Sequence, residues 1–180
     1  MKNILLLLLL PVLASAQTEL NFHGLVPFTV TSVFDGDGFK GQYLTGKKDE
    51  IRLLDLDTPE KRGFSSIAQA YGNEAGDSLR AMIKGRLIYL DTLTMKGENQ
   101  RDQFGRLLVI AYLEDATNIN YEIVARGWGW AQRQSHTRLP KFNDVLKNAQ
   151  REARVAKRGF WAGKKPYRPE LHRKRYNIFK

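Results

Sequence analysis

The chain has 180 residues, a formal charge of +10 and no cysteine. This length fits one domain with a single core, and the absence of cysteine excludes disulfide scaffolds and zinc–thiolate sites. The excess of positive charge favours a polyanionic partner such as nucleic acid, although a merely solubilising surface would have the same composition.

The N-terminus is typical of a secretory signal peptide. Lys2 gives a short basic start, residues 4–10 are wholly apolar, and the small residues 14–16 match a cleavage site. The alternative is a membrane anchor, but a spanning helix needs about 20 apolar residues. We therefore expect residues 1–16 to be removed, leaving Gln17 as the mature N-terminus. This predicts a secreted or periplasmic protein without stable membrane association.

Apolar alternation and turn residues predict strands at residues 28–34, 39–44, 50–56, 86–90 and 106–113. Asp35-Gly36 is typical of a hairpin turn, and a second turn leads into the third strand, so the first three strands form a meander. Between the last two strands, residues 96–102 are predicted to form a polar loop.

Capping and periodicity predict three helices. The first would be capped by Ser65 or Ser66 and closed by Gly85, the second spans residues 118–126, and the third spans residues 140–157. The third helix has one apolar face, made of Phe142, Val145, Leu146, Ala149, Ala153 and Ala156. Five strands with a helix after the third predict an α+β fold: a five-stranded Greek-key β-barrel of the OB type with three α-helices.

Carboxylates and arginines occur at the ends of three of these strands. Asp37 and Asp57 are candidate ligands for a hard cation such as calcium, and Glu60 is a candidate general base for water. Arg52 and Arg106 are candidate clamps for phosphate, because the planar guanidinium grips two phosphate oxygens. Taken singly, each has a plainer interpretation as a turn residue, a solvated glutamate or a surface ion pair.

Strand alternation leaves the facing of these groups open. With a period of two, Asp55 and Asp57 point to one face and Arg52 to the other, unless a bulge intervenes. Alternation alone therefore does not explain how Arg52 would join the carboxylates.

The motifs resemble those of the staphylococcal nuclease (thermonuclease) family. They are Asp35-Gly36-Asp37, Arg52-Leu53-Leu54-x-x-Asp57-Thr58-Pro59-Glu60, Tyr71-Gly72-Asn73-Glu74-Ala75 and Asp102-x-Phe104-Gly105-Arg106. The likeness covers residues 29–161, and the string from Arg52 to Glu60 is its most specific part.

This resemblance implies an OB barrel with three helices and calcium-dependent hydrolysis of DNA and RNA that leaves 3′-phosphates. It implies calcium ligands at Asp37, Asp57 and the Thr58 carbonyl, Glu60 as general base, and Arg52 and Arg106 as phosphate clamps. It also places Arg52 in the site, which alternation did not. The implied organisation is a lead-in at residues 17–28, a nuclease domain at 29–163 and a basic tail at 164–180, in a monomer.

Two departures from the family pattern concern the substrate. Gly38 stands where the family usually has a threonine, and residues 128–134 contain no tyrosine that could stack on a base. Trp130 could take that stacking role, although a tryptophan at this position is more often a core side chain.

The basic tail carries seven Lys or Arg and one Glu between residues 164 and 180. We expect it to add affinity for nucleic acid through counterion release rather than to take part in catalysis. The alternative to this binding role is a disordered, solvated end, and in either case Pro166 and Pro169 favour extended structure.

These observations favour a secreted calcium-dependent nuclease that acts on DNA and RNA. One alternative is a non-catalytic nucleic-acid-binding module on the same barrel, and another is a secreted adaptor that binds a protein partner. Only the enzyme requires every acidic and arginine position named above.

Overall fold

The computed structural model describes residues 24–61, 67–133, 140–163 and 166–176, without the side chains of residues 140 and 141. Its strands, in chain order, are β1 (Val26–Val33), β2 (Gly38–Tyr43), β3 (Lys48–Leu53), β4 (Leu56–Asp57), β5 (Leu87–Thr92), β6 (Thr94–Met95), β7 (Glu98–Asn99), β8 (Leu107–Tyr112) and β9 (Trp130–Ala131). The predicted signal peptide, residues 1–16, lies outside the described residues.

Five of these strands close into a barrel in the order β1-β2-β3-β8-β5. The pairs β1–β2, β2–β3, β1–β5 and β5–β8 are antiparallel, whereas β3 and β8 are parallel. The predicted five-stranded barrel and its opening meander are therefore confirmed. Apolar side chains that alternate along these strands fill the barrel, among them Phe28, Phe39, Ile51, Leu90 and Val109, all fully buried.

The remaining strands are short pairs outside the barrel. β6 and β7 form a small hairpin that includes Glu98 and Asn99, within the segment predicted to be a loop. β4 pairs with β9, which joins the segment after β3 to the segment after the second helix.

The described residues form four α-helices, one more than the three predicted. They are α1 (Gly72–Ile83), α2 (Ile119–Ala125), α3 (Pro140–Val155) and α4 (Pro169–Arg175), with a 3₁₀ helix at Gly159–Ala162. Within the described ranges, none of these helices has the length and apolarity that crossing a membrane requires.

The first helix begins later than predicted. Ile67, expected inside the helix, lies outside it, and the helix starts at Gly72 after Tyr71, whose φ of 71° is left-handed. A left-handed residue cannot continue an α-helix, so the chain turns here and only then becomes helical. The predicted caps Ser65 and Ser66 lie outside the described residues.

The third helix buries a narrower face than predicted. Leu146, Ala149 and Ala153 are buried, whereas Val145 is 46% exposed and Ala156 lies exposed beyond the helix end. Successive helical residues are about 100° apart, so Val145 is turned away from the stripe that Leu146 occupies.

The C-terminal tail is more ordered than predicted. Arg168 is extended, but Pro169 opens α4 instead of prolonging an extended segment. Proline suits the first position of a helix, because its missing N–H would have no partner inside the helix.

Candidate active site

The turn between β1 and β2 places Asp37 against Arg52. Gly38 pairs with Arg52 across β2 and β3, and the Leu53 N–H donates to the Asp37 carbonyl at 2.8 Å. The Asp35 carboxylate accepts the Asp37 N–H at 3.1 Å, which stabilises the turn. The Asp-Gly-Asp-Gly motif therefore fixes a carboxylate at the edge of the barrel, beside the arginine of the next strand.

A break in the alternation brings Asp57 to the same side as Arg52. The chain turns after Leu53, Asp55 adopts a left-handed φ of 59°, and β4 then starts at Leu56. This turn interrupts the period of two, which explains why simple alternation placed Arg52 and Asp57 on opposite faces. The resemblance to the nuclease family implied that Arg52 and the carboxylates share one site.

Arg52 bridges the two carboxylates that were predicted to bind a metal. Its Nη1 lies 2.7 Å from Asp37 Oδ1, and its Nη2 lies 3.0 Å from Asp57 Oδ1. The Thr58 N–H donates to Asp37 Oδ2 at 3.0 Å. Both carboxylates thus converge on one cationic group, in a region where Asp37 is 1% and Asp57 is 7% exposed.

Burial dominates the ionisation of Asp37. Loss of solvation raises its pKa well above the ordinary value, and the positive charge of Arg52 opposes that rise. The nearby carboxylates Asp35 and Asp57 raise the pKa further. An additional positive charge at this place would therefore be strongly stabilised.

Glu60 is held at the mouth of the site by contacts to its backbone. Its N–H donates to Gln69 Oε1 at 3.3 Å, and its carbonyl accepts the Gln69 N–H at 2.9 Å. A Cβ at Gly72 would lie 2.4 Å from the Glu60 carbonyl oxygen, so only glycine lets α1 approach this closely. Burial raises the pKa of Glu60, an effect that Arg173 opposes.

Arg106 is oriented by Asp102 at the start of β8. Its Nη2 and Nε lie 2.7 and 2.8 Å from Asp102 Oδ2. Asp102 Oδ1 also accepts the N–H groups of Phe104 and Arg106, and the Phe104 ring lies 5.5 Å from the Arg106 guanidinium. Asp102 therefore fixes the orientation of the Arg106 guanidinium, and Asp102 itself is not a buried residue.

A cleft of about 490 Å³ connects these groups, and its lining includes Arg52, Glu60, Arg106 and Arg173. Asp37, Asp57 and Thr58 are buried beside it. The structure thus brings all six residues predicted from the sequence into one neighbourhood.

Sequence reasoning missed Arg173, which lies in α4. Its Nη2 is 2.7 Å from Asp57 Oδ2 and its Nη1 is 2.5 Å from Glu60 Oε1. Burial by itself would lower the pKa of Arg173, but Asp57 and Glu60 together raise it above the ordinary value. In the sequence Arg173 is one cation within a basic run, and no pattern distinguishes it from its neighbours.

The two departures from the family pattern have structural outcomes. A Cβ at Gly38 would lie 2.8 Å from Asp35 Oδ1, so a larger residue would require that carboxylate to move. Trp130 is 3% exposed and stacks on Phe160 with the ring centroids 3.9 Å apart. Trp130 is therefore a core side chain in this fold.

The donor set for a metal consists of few side chains. The described residues contain no group of three or more His, Cys, Asp or Glu that would hold an ion. Arg52 donates to Asp37 Oδ1 through Nη1 and to Asp57 Oδ1 through Nη2, so the two carboxylates face the same guanidinium group. These oxygens fit a hard cation that completes its coordination with backbone carbonyls, water and substrate.

Comparison with known proteins gives consistent similarities. The sequence model of the family described as staphylococcal nuclease homologue matches residues 50–163. An uncharacterized endonuclease of Escherichia coli O157:H7 is 34% identical over 146 residues, covering 81% of this chain and 84% of the relative. One of Haemophilus influenzae is 29% identical over 96% of this chain and 84% of its own length, and endonuclease YncB of Bacillus subtilis is 31% identical over 77% and 63%.

Proposed function

Because the chain belongs to the staphylococcal nuclease family, we propose that it is a secreted, calcium-dependent nuclease that hydrolyses DNA and RNA and leaves 3′-phosphates. That it is a nuclease, and hence a phosphodiester hydrolase, follows from the family and from its endonuclease relatives. The observation that carries the finer proposal is the convergence of Asp37 and Asp57 on one cation beside a cleft lined by Glu60.

Calcium would be held by the Asp37 and Asp57 carboxylates and the Thr58 carbonyl, and when bound it would neutralise charge on the phosphate. Oxygen donors of this kind suit calcium because it accepts irregular coordination. The buried negative charge of the two carboxylates supplies the attraction, and Arg52 offsets part of it.

The residues lining the cleft divide the remaining work. Glu60 accepts the proton of the attacking water, a role that its raised pKa suits because a stronger base takes a proton more readily. Arg52 and Arg106 bind the phosphate oxygens and stabilise the charge that develops on them in the transition state. Asp102 keeps Arg106 aimed into the cleft.

Digestion of plasmid and single-stranded DNA by the chain from Gln17 to Lys180, in calcium and then in chelator, tests this function. We expect cleavage in calcium only, and a loss of about 10²-fold or more in Glu60→Gln. Glu50→Gln is the matched control, because Glu50 lines the same cleft and the substitution removes the same charge. Cleavage that survives chelation, or that Glu60→Gln leaves intact, would refute the mechanism.

The same assay addresses the alternative function. Tight DNA binding without cleavage in either condition would assign the chain to a non-catalytic nucleic-acid-binding module. Secretion is part of the proposal through the signal-like residues 1–16, and mass spectrometry of the exported protein should find Gln17 at its N-terminus. Size-exclusion chromatography should show a monomer.

A further inference from the structure

The C-terminal segment, defined here as residues 166–176, is docked beside the candidate active site. Gln69 Nε2 donates to the Tyr167 carbonyl at 2.6 Å, which links the segment to the residue that also holds the Glu60 backbone. His172 is 1% exposed, with its ring nitrogens 2.7 Å from the Tyr167 hydroxyl and 2.9 Å from the Ile67 carbonyl. The buried side chains of Gln69 and His172 therefore anchor the segment to the rest of the protein.

This docking places the Arg173 guanidinium on the carboxylates of the site. Its Nη2 lies 2.7 Å from Asp57 Oδ2, and its Nη1 lies 3.2 Å from Asp57 Oδ1 and 2.5 Å from Glu60 Oε1. Arg52 also donates to Asp57 Oδ1, so both oxygens of Asp57 are hydrogen-bonded to guanidinium groups.

The oxygens that Arg173 contacts are the ones that the proposed function requires elsewhere. Asp57 must offer an oxygen to a cation, and Glu60 must accept a proton from water. A carboxylate oxygen held by a short bond to a guanidinium is a weaker base and a poorer ligand. Because the docked segment already fixes the Arg173 backbone, its guanidinium loses little further entropy in reaching Asp57 and Glu60.

We propose that Arg173 is an intramolecular competitor of calcium: the C-terminal segment holds its guanidinium on Asp57 and Glu60, and a divalent cation binds only when that guanidinium withdraws. This inference rests on the proposed function, since it takes Asp57 as a calcium ligand and Glu60 as the base. The nuclease is then held inactive where calcium is scarce, and Arg173 sets the calcium concentration at which it becomes active.

Calcium titration calorimetry without nucleic acid tests this proposal on the chain from Gln17 to Lys180. Arg173→Gln removes the guanidinium that occupies both Asp57 and Glu60 and leaves Arg52 in place, and the dissociation constant for calcium should fall by at least about tenfold. Lys174→Gln is the matched control, because Lys174 is the exposed neighbour on the same helix and the substitution removes the same charge. Its calcium affinity should stay within about twofold of the wild type.

Arg173→Lys separates occupation of the site from charge alone. Lysine keeps the positive charge but lacks the fork that bonds to three carboxylate oxygens at once. If Arg173 competes through its geometry, the calcium affinity of Arg173→Lys should move towards that of Arg173→Gln. An affinity equal to the wild type would mean that charge alone matters and would overturn the proposal. Arg173→Lys also carries the test if thermal melting shows that Arg173→Gln fails to fold.

The remaining outcomes distinguish this inference from the proposed function. If Arg173→Gln binds calcium no more tightly than the wild type, the inference fails, even where the wild type cleaves DNA in calcium. A higher KM for DNA at unchanged calcium affinity would instead make Arg173 a phosphate-binding residue, which also overturns the proposal. If Arg173→Gln gains calcium affinity but neither protein cleaves DNA, the competition stands and the nuclease mechanism fails. Absence of calcium binding in both proteins refutes both.

Discussion

Replacing Arg52 by methionine should destabilise the protein in a way that depends on calcium. Arg52 makes two close charged contacts, at 2.7 Å to Asp37 and 3.0 Å to Asp57, with its own side chain 17% exposed. In Arg52→Met, Asp57 keeps Arg173 as a partner, whereas the Asp37 carboxylate keeps, among the described residues, the hydrogen bond from the Thr58 N–H. Nearly all the loss of stability therefore comes from leaving the buried Asp37 carboxylate without its cationic partner.

Removing one partner of a buried ion pair costs about 3–5 kcal/mol. Because Asp37 still accepts one hydrogen bond and can take up a proton, we expect the lower end, about 3 kcal/mol. This is a large share of the roughly 5–15 kcal/mol by which most domains are stable. Calcium would supply the positive charge that methionine lacks, so in saturating calcium the cost should fall to about 1 kcal/mol or less, by the same reasoning on paired charges.

Urea unfolding followed by circular dichroism measures the loss of stability caused by Arg52→Met, once in chelator and once in calcium. Arg101→Met is the control, because Arg101 pairs with Asp49 through two hydrogen bonds of 2.8 and 2.7 Å on the barrel surface and does not line the cleft. The loss of stability in Arg101→Met should be small and independent of calcium. An equal cost of Arg52→Met in chelator and calcium would refute the idea that Arg52 and calcium serve the same carboxylates.

Three further predictions concern ionisation, the transition state and the tail. The folded pKa of Asp37 is raised, so its contribution to stability is present below the unfolded pKa of about 3.9 and is lost as the pH rises through the folded value. In chelator, Asp37→Asn should therefore gain stability relative to the wild type as the pH rises from about 4 towards neutrality, and a difference independent of pH would contradict this assignment. Arg106→Lys should lower kcat/KM by about 10²-fold or more with little change in melting temperature, because lysine lacks the fork that Asp102 aims; near-normal kinetics would exclude a transition-state role. Neutralising Lys174 and Arg175 should reduce the slope of log Kd for DNA against log salt by about 0.9 for each phosphate that the protein no longer neutralises, and an unchanged slope would show that these residues do not bind nucleic acid.

Local patterns were sufficient to predict the barrel. Alternating apolar residues and a hairpin turn predict strands and their order from neighbouring residues alone, and the structure confirms the five barrel strands. Short pairs such as β6 with β7 were missed, because two-residue strands have no period to detect. The start of α1 was missed because the left-handed Tyr71 depends on how Gly72 packs against the Glu60 backbone.

The candidate site residues could be named from the sequence, because the residue types alone indicate the chemistry. Carboxylates can bind a cation or accept a proton, and arginines can bind phosphate, wherever the fold places them. Arg52, Asp57 and Glu60 could be named within one string of nine residues. Their facing could not be derived from alternation, since the left-handed Asp55 breaks the strand at the one point where the period mattered.

The position of Arg173 was decided by tertiary structure alone. It lies more than a hundred residues from Asp57 and Glu60 in the chain, and the docking of the C-terminal segment, through contacts such as Tyr167 with Gln69 and His172 with Ile67, brings it to them. A basic run has the same composition whether it is solvated or folded onto the protein. Which of its cations meets a buried carboxylate depends on long-range packing, and sequence periodicity carries no information about residues at that separation.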